Sequence, residues 1–476
     1  MSQAQIIAFL PIMATTAVGL IVMLLVAVKR SHTSVFIATI VGLGLSFLTI
    51  FIALPLAPQQ VTALIVIDRF SLFYFGLIIA STLAIAFLSH GYLIRRPVRK
   101  EEYYILLVFA AVGGEVLAAA SHYASFFLGL EILGISLYGM IAYERDSLVG
   151  IEAGVKYLIL AAVSSAFILF GMAMIYLETG SLEFSTLFAR PGSAFSTLSL
   201  IGFGMITVGV GFKLAVVPFH LWTPDVYQGA PAPVTAFVAT VSKGAMFALL
   251  VRYFVELDLY RFSSVFLVFS VIAGLSILVG NILALLQNNV KRVLAYSSIA
   301  HLGYLLVALL ASGSRGVSAV NFYLVAYFIT NIGAFGVVAY LSEREKEAEM
   351  IEDYHGLAWR RPWLAGVFTA MLLSLAGIPL TVGFIGKFFI IAAGAGARLW
   401  TLLFVLVAGS IISFFYYLRI MIAMFREREG AAPPARASFS LPGGVALSVL
   451  TLLLVWLGVY PTPLVAMIQR VTAVLF

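Results

Sequence analysis

Three lysines, two histidines and a glutamate stand inside stretches built otherwise from apolar residues and glycine. They are Lys213 and His220 in GFKLAVVPFHLW, Lys243 in VATVSKGAMF, His301 in SSIAHLGYLL, Lys387 in GFIGKFFI and Glu131 in FFLGLEILG. A charge at the centre of a bilayer costs at least about 2.5–3.5 kcal/mol, so ionisable groups there are functional by default. Burial disfavours the charged form of a lysine and brings its proton exchange towards neutral pH, while a nearby carboxylate opposes this. At about 4 Å and an effective dielectric near 20 such a pair is worth about 4 kcal/mol. Moving Glu131 relative to Lys213 would therefore switch that lysine between holding and losing a proton. Imidazole accepts a proton on one nitrogen while donating from the other. Histidines between lysines thus suit a relay, and the chemistry expected of the set is proton transfer across one level of a membrane.

Each of these groups also has a structural reading. Lys213 and Lys243 could each be neutralised by a neighbouring acid, and Glu131 could serve a helix-packing hydrogen bond. His220 and His301 could bind carbonyls freed where a helix breaks. Lys156 has Glu152 four residues before it, a spacing that stabilises a helix by itself, so a local ion pair competes there with a relay role. Lys291–Arg292 reads as an anchor, and Arg419 near a helix end can snorkel. Glu115 is a further acid within an apolar stretch, with no partner visible in the sequence.

The elements that must position these groups follow from composition. The chain of 476 residues is 62% hydrophobic and 10% charged, against roughly half and a quarter for soluble domains. Apolar windows long enough to cross a bilayer recur fourteen times, at 5–28, 34–54, 70–93, 102–121, 122–143, 149–177, 195–227, 233–253, 263–286, 293–313, 317–341, 363–393, 399–424 and 441–470. The fold class expected is an all-α polytopic membrane protein. Glu131 falls about nine residues into its window, roughly 14 Å deep at 1.5 Å per residue; Lys243 and His301 fall at similar depth.

Two windows carry proline and glycine beside a lysine: Gly209, Gly211 and Pro218 near Lys213, and Gly377, Pro379, Gly383 and Gly386 near Lys387. Proline removes an intrahelical hydrogen bond and clashes with the preceding turn, so helices 7 and 12 should break. Each is the fourth of a block of five, helices 4–8 and 9–13. An odd number of helices inverts the second block relative to the first, and broken helices at matching positions of inverted repeats point to an ion pathway. The organisation expected is helices 1–3 over 1–101, a first repeat over 102–253, a second over 254–424, and a loop with helix 14 over 425–476.

Cysteine is absent, which excludes disulfides, thiolate catalysis and cysteine-ligated iron–sulfur clusters in this chain. The six histidines lack metal-ligand spacing, and no nucleotide fingerprint is present. The net charge of +7 sorts by loop. Connections after odd-numbered windows hold sixteen Lys or Arg and those after even-numbered windows six, the latter being Arg69, Arg190, Arg252, Arg261, Arg315 and Arg398. That asymmetry predicts odd loops in the cytoplasm and both termini on the outer, periplasmic side; it also removes the nucleic-acid reading of the charge.

The stretches GFKLAVVPFHLWTPDVYQGAPAPV, NNVKRVLAYSSIAHLGYLLVAL and SLAGIPLTVGFIGKF resemble the antiporter-like N subunit of bacterial respiratory complex I, NADH:quinone oxidoreductase. The resemblance runs over essentially the whole chain. It implies fourteen transmembrane helices with inverted five-helix repeats and a part in redox-driven proton translocation in the cytoplasmic membrane. It puts the family's helix-5 glutamate on Glu131, its helix-7 and helix-8 lysines on Lys213 and Lys243, its outlet lysine on Lys387, its linking histidines on His220 and His301, and a further helix-6 lysine on Lys156. It implies no cofactor or metal in this chain, partners carrying FMN and iron–sulfur clusters, and quinone as electron acceptor. Neighbouring antiporter-like M and small K and J subunits are the partners implied, with the hydrophilic arm reached indirectly. The rival within the same fold is a subunit of a multisubunit sodium/proton antiporter. Sodium prefers oxygen ligands, whereas the line here is mostly lysine and histidine. A passive scaffold held together by buried charges is the third reading.

Overall fold

Nearly every residue of the spans Ala232–Glu256, Val290–Leu310 and Gly313–Leu341 is buried, and the first two carry Lys243 and His301. The computed structural model describes residues 2–185, 196–343, 346–426 and 440–476. Arg190, Arg344, Arg428 and Arg436 of the charge census lie outside the described residues.

The N-terminal part comprises α1 (Gln3–Val28), α2 (His32–Ala53) and α3 (Arg69–Arg95). Next come α4 (Glu102–Ala119), α5 (Tyr123–Ile141), α6 (Leu148–Thr179), α7 (Thr197–Leu214), α8 (Trp222–Gly229), α9 (Ala232–Phe237) and α10 (Lys243–Glu256). The remainder is α11 (Ser263–Leu285), α12 (Val290–Leu310), α13 (Gly313–Leu341), α14 (Leu357–Arg360), α15 (Pro362–Ala376), α16 (Val382–Gly396), α17 (Trp400–Phe425), α18 (Leu441–Val459) and α19 (Thr462–Thr472). Among the described residues thirteen spans are long and apolar enough to cross a membrane. The one expected window not among them, the twelfth at 363–393, is the pair α15 and α16, each too short to cross alone. The protein is an antiporter-like bundle of membrane helices, as its periodic apolar windows predict.

Three departures have local causes. The connection after α2 forms a short antiparallel hairpin, β1 (Gln59–Thr62) with β2 (Ile65–Ile67), where β-branched residues cluster. The last window is not one span. α18 ends at Val459, and α19 buries Leu464, Ile468 and Val471, an i, i+4, i+7 stripe typical of an amphipathic helix. Between α9 and α10 the chain runs through a π turn, Val238–Ser242, directly before Lys243.

Both expected breaks are present, and protein groups satisfy the backbone they free. α7 stops at Ala215, which takes the left-handed conformation (φ 60°). The Trp222 indole donates to the Phe212 carbonyl at 3.0 Å, and Val217 N–H donates to Ser276 at 2.9 Å. α15 stops at Gly377 (φ 86°). There the Lys387 ammonium donates to the Ala376 carbonyl at 2.8 Å, a cation at a helix C-terminus where the macrodipole favours one. A Cβ on Gly377 would sit 2.8 Å from Lys387 Cδ, so glycine is required for both the turn and the lysine's path. Irregular backbone at membrane depth persists only under such cover.

Candidate functional site

Lys243, at the start of α10, is completely buried. Its ammonium donates to Ser298 Oγ of α12 at 2.8 Å and lies 5.2 Å from the centre of the Tyr227 ring. Ser298 also meets the Tyr327 hydroxyl at 2.6 Å and the Tyr227 hydroxyl at 3.3 Å. His301 follows Ser298 by three residues on α12, hence on the same face. Its Nδ1 meets the Tyr323 hydroxyl at 2.7 Å and its Nε2 the Tyr417 hydroxyl at 3.3 Å; Tyr417 in turn bonds Ser297. The Tyr304 ring lies 5.3 Å from the His301 ring and 5.3 Å from the Lys387 ammonium. Lys243, His301 and Lys387 are thus brought together through hydroxyls and rings. Beside Lys387 an open cleft of about 420 Å³ is lined by Ala376, Phe384, Phe388, Ser410 and Phe414.

The other half is looser. Lys213 is buried, and its ammonium has no hydrogen-bond partner among the described residues; it lies 5.8 Å from the Tyr157 ring centre. A Cβ on Gly134 would stand 3.6 Å from it, so the ammonium abuts α5 one helical turn from Glu131. Glu131 is partly exposed and accepts from Ser165 at 2.6 Å. Carboxylate and ammonium are therefore neighbours without being a contact pair. His220 is buried in the α7–α8 link beside Pro218. The partners of His301 are tyrosines and not carbonyls freed at a break.

Lys156 is half-exposed and pairs with Glu152 at 2.6 Å and Asp225 at 2.9 Å. Asp225 also takes Arg292 at 2.8 Å, so α6, α8 and α12 are tied at one end of the broken helix. Nothing in the spacing around Asp225 signals this role, because its partners are distant in sequence. Lys291 is no exposed anchor: it is fully buried, bonded to Glu347 and to the Ala230 carbonyl. Glu347 also accepts from Tyr92 and, at 3.0 Å, from the Ala232 amide. Burial alone would push the Glu347 carboxyl up, but the Lys291 charge and these hydrogen bonds outweigh it and hold it below the usual glutamate range. At the opposite end Arg252 is buried in a two-pronged bond to Asp68, at 2.9 and 3.0 Å. Burial raises the Asp68 carboxyl and Arg252 more than reverses this, leaving it below its ordinary value. Arg96, Lys291 and Arg252, counted as loop charges, are thus packed inside. A loop census cannot distinguish such pairs from solvated charge.

Residues 120–413 match the family described as NADH:quinone oxidoreductase/Mrp antiporter, transmembrane. The chain is 47% identical to NADH-quinone oxidoreductase subunit N of Ectopseudomonas mendocina (strain ymp), over 99% of this chain and 97% of that one. It is 50% identical to the protein of the same name from Nitrosospira multiformis, over 94% of this chain and 92% of that one. Among solved structures it resembles a chain of respiratory complex I from Thermus thermophilus with bound aureothin, at 32% identity and TM-score 0.81, covering 96% and 98% of the two chains.

Proposed function

The chain belongs to the family of NADH-quinone oxidoreductase N subunits, and from that premise we propose that it moves protons through a relay of Glu131, Lys213, His220, Lys243, His301 and Lys387. Electron transfer belongs to cofactor-bearing partner subunits, and this chain supplies the membrane path. It assembles with other membrane-arm subunits in the bacterial cytoplasmic membrane, with both termini on the outer side. The two five-helix blocks, 102–253 and 254–424, act as inverted halves, each contributing a broken helix and a buried lysine.

The observation that carries this reading is Lys243. Its ammonium is fully buried and, among the described residues, touches no acid; its polar contact is Ser298, which leads to Tyr327 and the face bearing His301. The π turn before it opens the helix by one residue, a feature frequent at functional sites. Transfer from Lys243 towards Lys387 then uses Ser298, Tyr327 and His301, each able to accept a proton and release another. Entry on the other side uses Lys213, whose occupancy depends on the charge of Glu131 one turn away. Lys156 holds the frame through Asp225. The sodium/proton antiporter reading shares the fold, but a line of lysines repels a second cation.

The test is Lys243→Ala in the assembled complex. NADH-driven proton pumping should fall strongly with assembly near normal; parent-like pumping at matched assembly would remove Lys243 from the path.

A further inference from the structure

Glu115 belongs to none of the groups above. It is completely buried on α4, facing α1 and α2. Its Oε1 lies 2.9 Å from Thr15 Oγ1 of α1, and its Oε2 is buried without a partner. Thr15 Oγ1 is also 2.6 Å from Ser46 Oγ of α2 and 3.1 Å from the Pro11 carbonyl. Ser46 Oγ reaches the same carbonyl at 3.3 Å.

Among the described residues, no ammonium, guanidinium or imidazole supports this carboxyl. α1 carries no acid or base, and His32 of α2 stacks on His90 at the far end of that helix. On the other elements packed against α4, Arg95 donates to the Ala339 and Tyr340 carbonyls, Tyr74 to Asn321 and Arg252 to Asp68, and Arg252 also forms an ion pair with Glu256. Lys243 donates to Ser298, Glu131 accepts from Ser165, Tyr123 pairs with Tyr253, and Arg69 is exposed. A bare carboxylate buried in this way is so costly that the group binds a proton or a cation instead.

Counting hydrogens decides what the site can hold. With the carboxyl ionised, Ser46 donates to Thr15 and Thr15 donates to Oε1. With it protonated, the Oε1 hydroxyl donates to Thr15, Thr15 to Ser46, and Ser46 to the Pro11 carbonyl. Both arrangements satisfy every hydroxyl, with the chain of bonds reversed. One proton enters or leaves, supplied by and returned to water, and no oxygen is newly orphaned. The set of one carboxyl, two hydroxyls and one carbonyl already spent on its own helix offers fewer oxygens than a sodium ion takes.

We propose that Glu115, Thr15 and Ser46 form an exchangeable proton-binding site on the N-terminal helices, separate from the lysine line and protonated in the present packing. It does not depend on the relay, because it is read in the resting complex.

Infrared difference spectra between the parent complex and Glu115→Gln test it. The parent should show a protonated-carboxyl C=O band that the variant lacks and that shifts in deuterated water. Thr15→Val, nearly isosteric, should move that band to higher frequency by removing its hydrogen bond, and it serves if Glu115→Gln fails to assemble. Identical spectra, or a band unmoved by Thr15→Val, would overturn the assignment. A band insensitive to deuterium would overturn exchange. Loss of the band on adding sodium chloride at fixed pH would make this a cation site, and the proposal would fall.

Discussion

Replacing Ser298 by alanine removes one oxygen at the point where four helices, α8, α10, α12 and α13, meet. That oxygen accepts from Lys243 at 2.8 Å and contacts the hydroxyls of Tyr327 at 2.6 Å and Tyr227 at 3.3 Å. Loss of a hydrogen bond to a charged group costs about 1.5–3 kcal/mol. If the Lys243 proton passes through Ser298, that cost raises the barrier of the transfer directly, and each 1.36 kcal/mol is about a factor of ten in rate. Proton-coupled turnover should therefore fall roughly 10- to 100-fold. Ser298→Thr keeps the hydroxyl and should recover most of it, apart from crowding by the added methyl at a fully buried position. The assay is NADH oxidation and proton uptake by inverted membrane vesicles at matched assembly. An alanine form that pumps like the parent would refute the reasoning. Equal defects in the Ala and Thr forms would reduce Ser298 to packing.

Lys213→Arg should pump poorly although the charge is kept, since a guanidinium does not release its proton; parent-like pumping would make Lys213 an electrostatic strut. Glu131→Gln keeps the Ser165 hydrogen bond and loses the charge, so it should be the more damaging exchange, with Glu131→Asp partly active. Equal pumping per NADH in the two forms would remove the switch. Glu347 is held below the ordinary carboxyl range, so its contribution to stability is present above the unfolded value, about 4.3, and is lost as pH falls through the lower folded value. Glu347→Gln should lower thermal stability of the complex at neutral pH and flatten its acid limb; an unchanged acid limb would argue against a stabilising Lys291–Glu347 pair.

Residue type and depth exposed the ionisable groups of the site, because a lysine or histidine in an apolar window is too costly to be incidental. The prolines and glycines exposed the breaks in the same way. The hydroxyl links were not legible. Ser298, Tyr327 and Tyr417 are common residues in membrane helices, and only the crossing of α10, α12, α13 and α17 selects them. The π turn at Val238–Ser242 contains neither glycine nor proline, so nothing local announces it. Glu347 lies in a polar connection that reads as solvated, and folds back to cap Lys291. The apolar run across Pro461 hid the end of α18 at Val459.

The placement of opposite charges gives the architecture a functional logic. At the two ends, cations contact acids: Lys156 and Arg292 on Asp225, Lys291 on Glu347, Arg252 on Asp68. They tie α6 and α12 to α8 just beyond the first break, the connection after α13 to α12, and the start of α3 to α10. At the centre, by contrast, Lys243 meets a serine, Lys387 a carbonyl, and Lys213 no hydrogen-bond partner. A contact acid there would add about 4 kcal/mol, or roughly three pH units of proton affinity, and the lysine would hold its proton throughout a catalytic cycle. Neutral oxygens orient the ammonium without fixing its charge. On the proposed relay, Glu131, one turn from Lys213 and bonded to Ser165 rather than to the lysine, is placed to modulate that lysine's charge. The paired ends supply rigidity to that proposed relay, and the unpaired middle supplies it with groups whose proton can be given up.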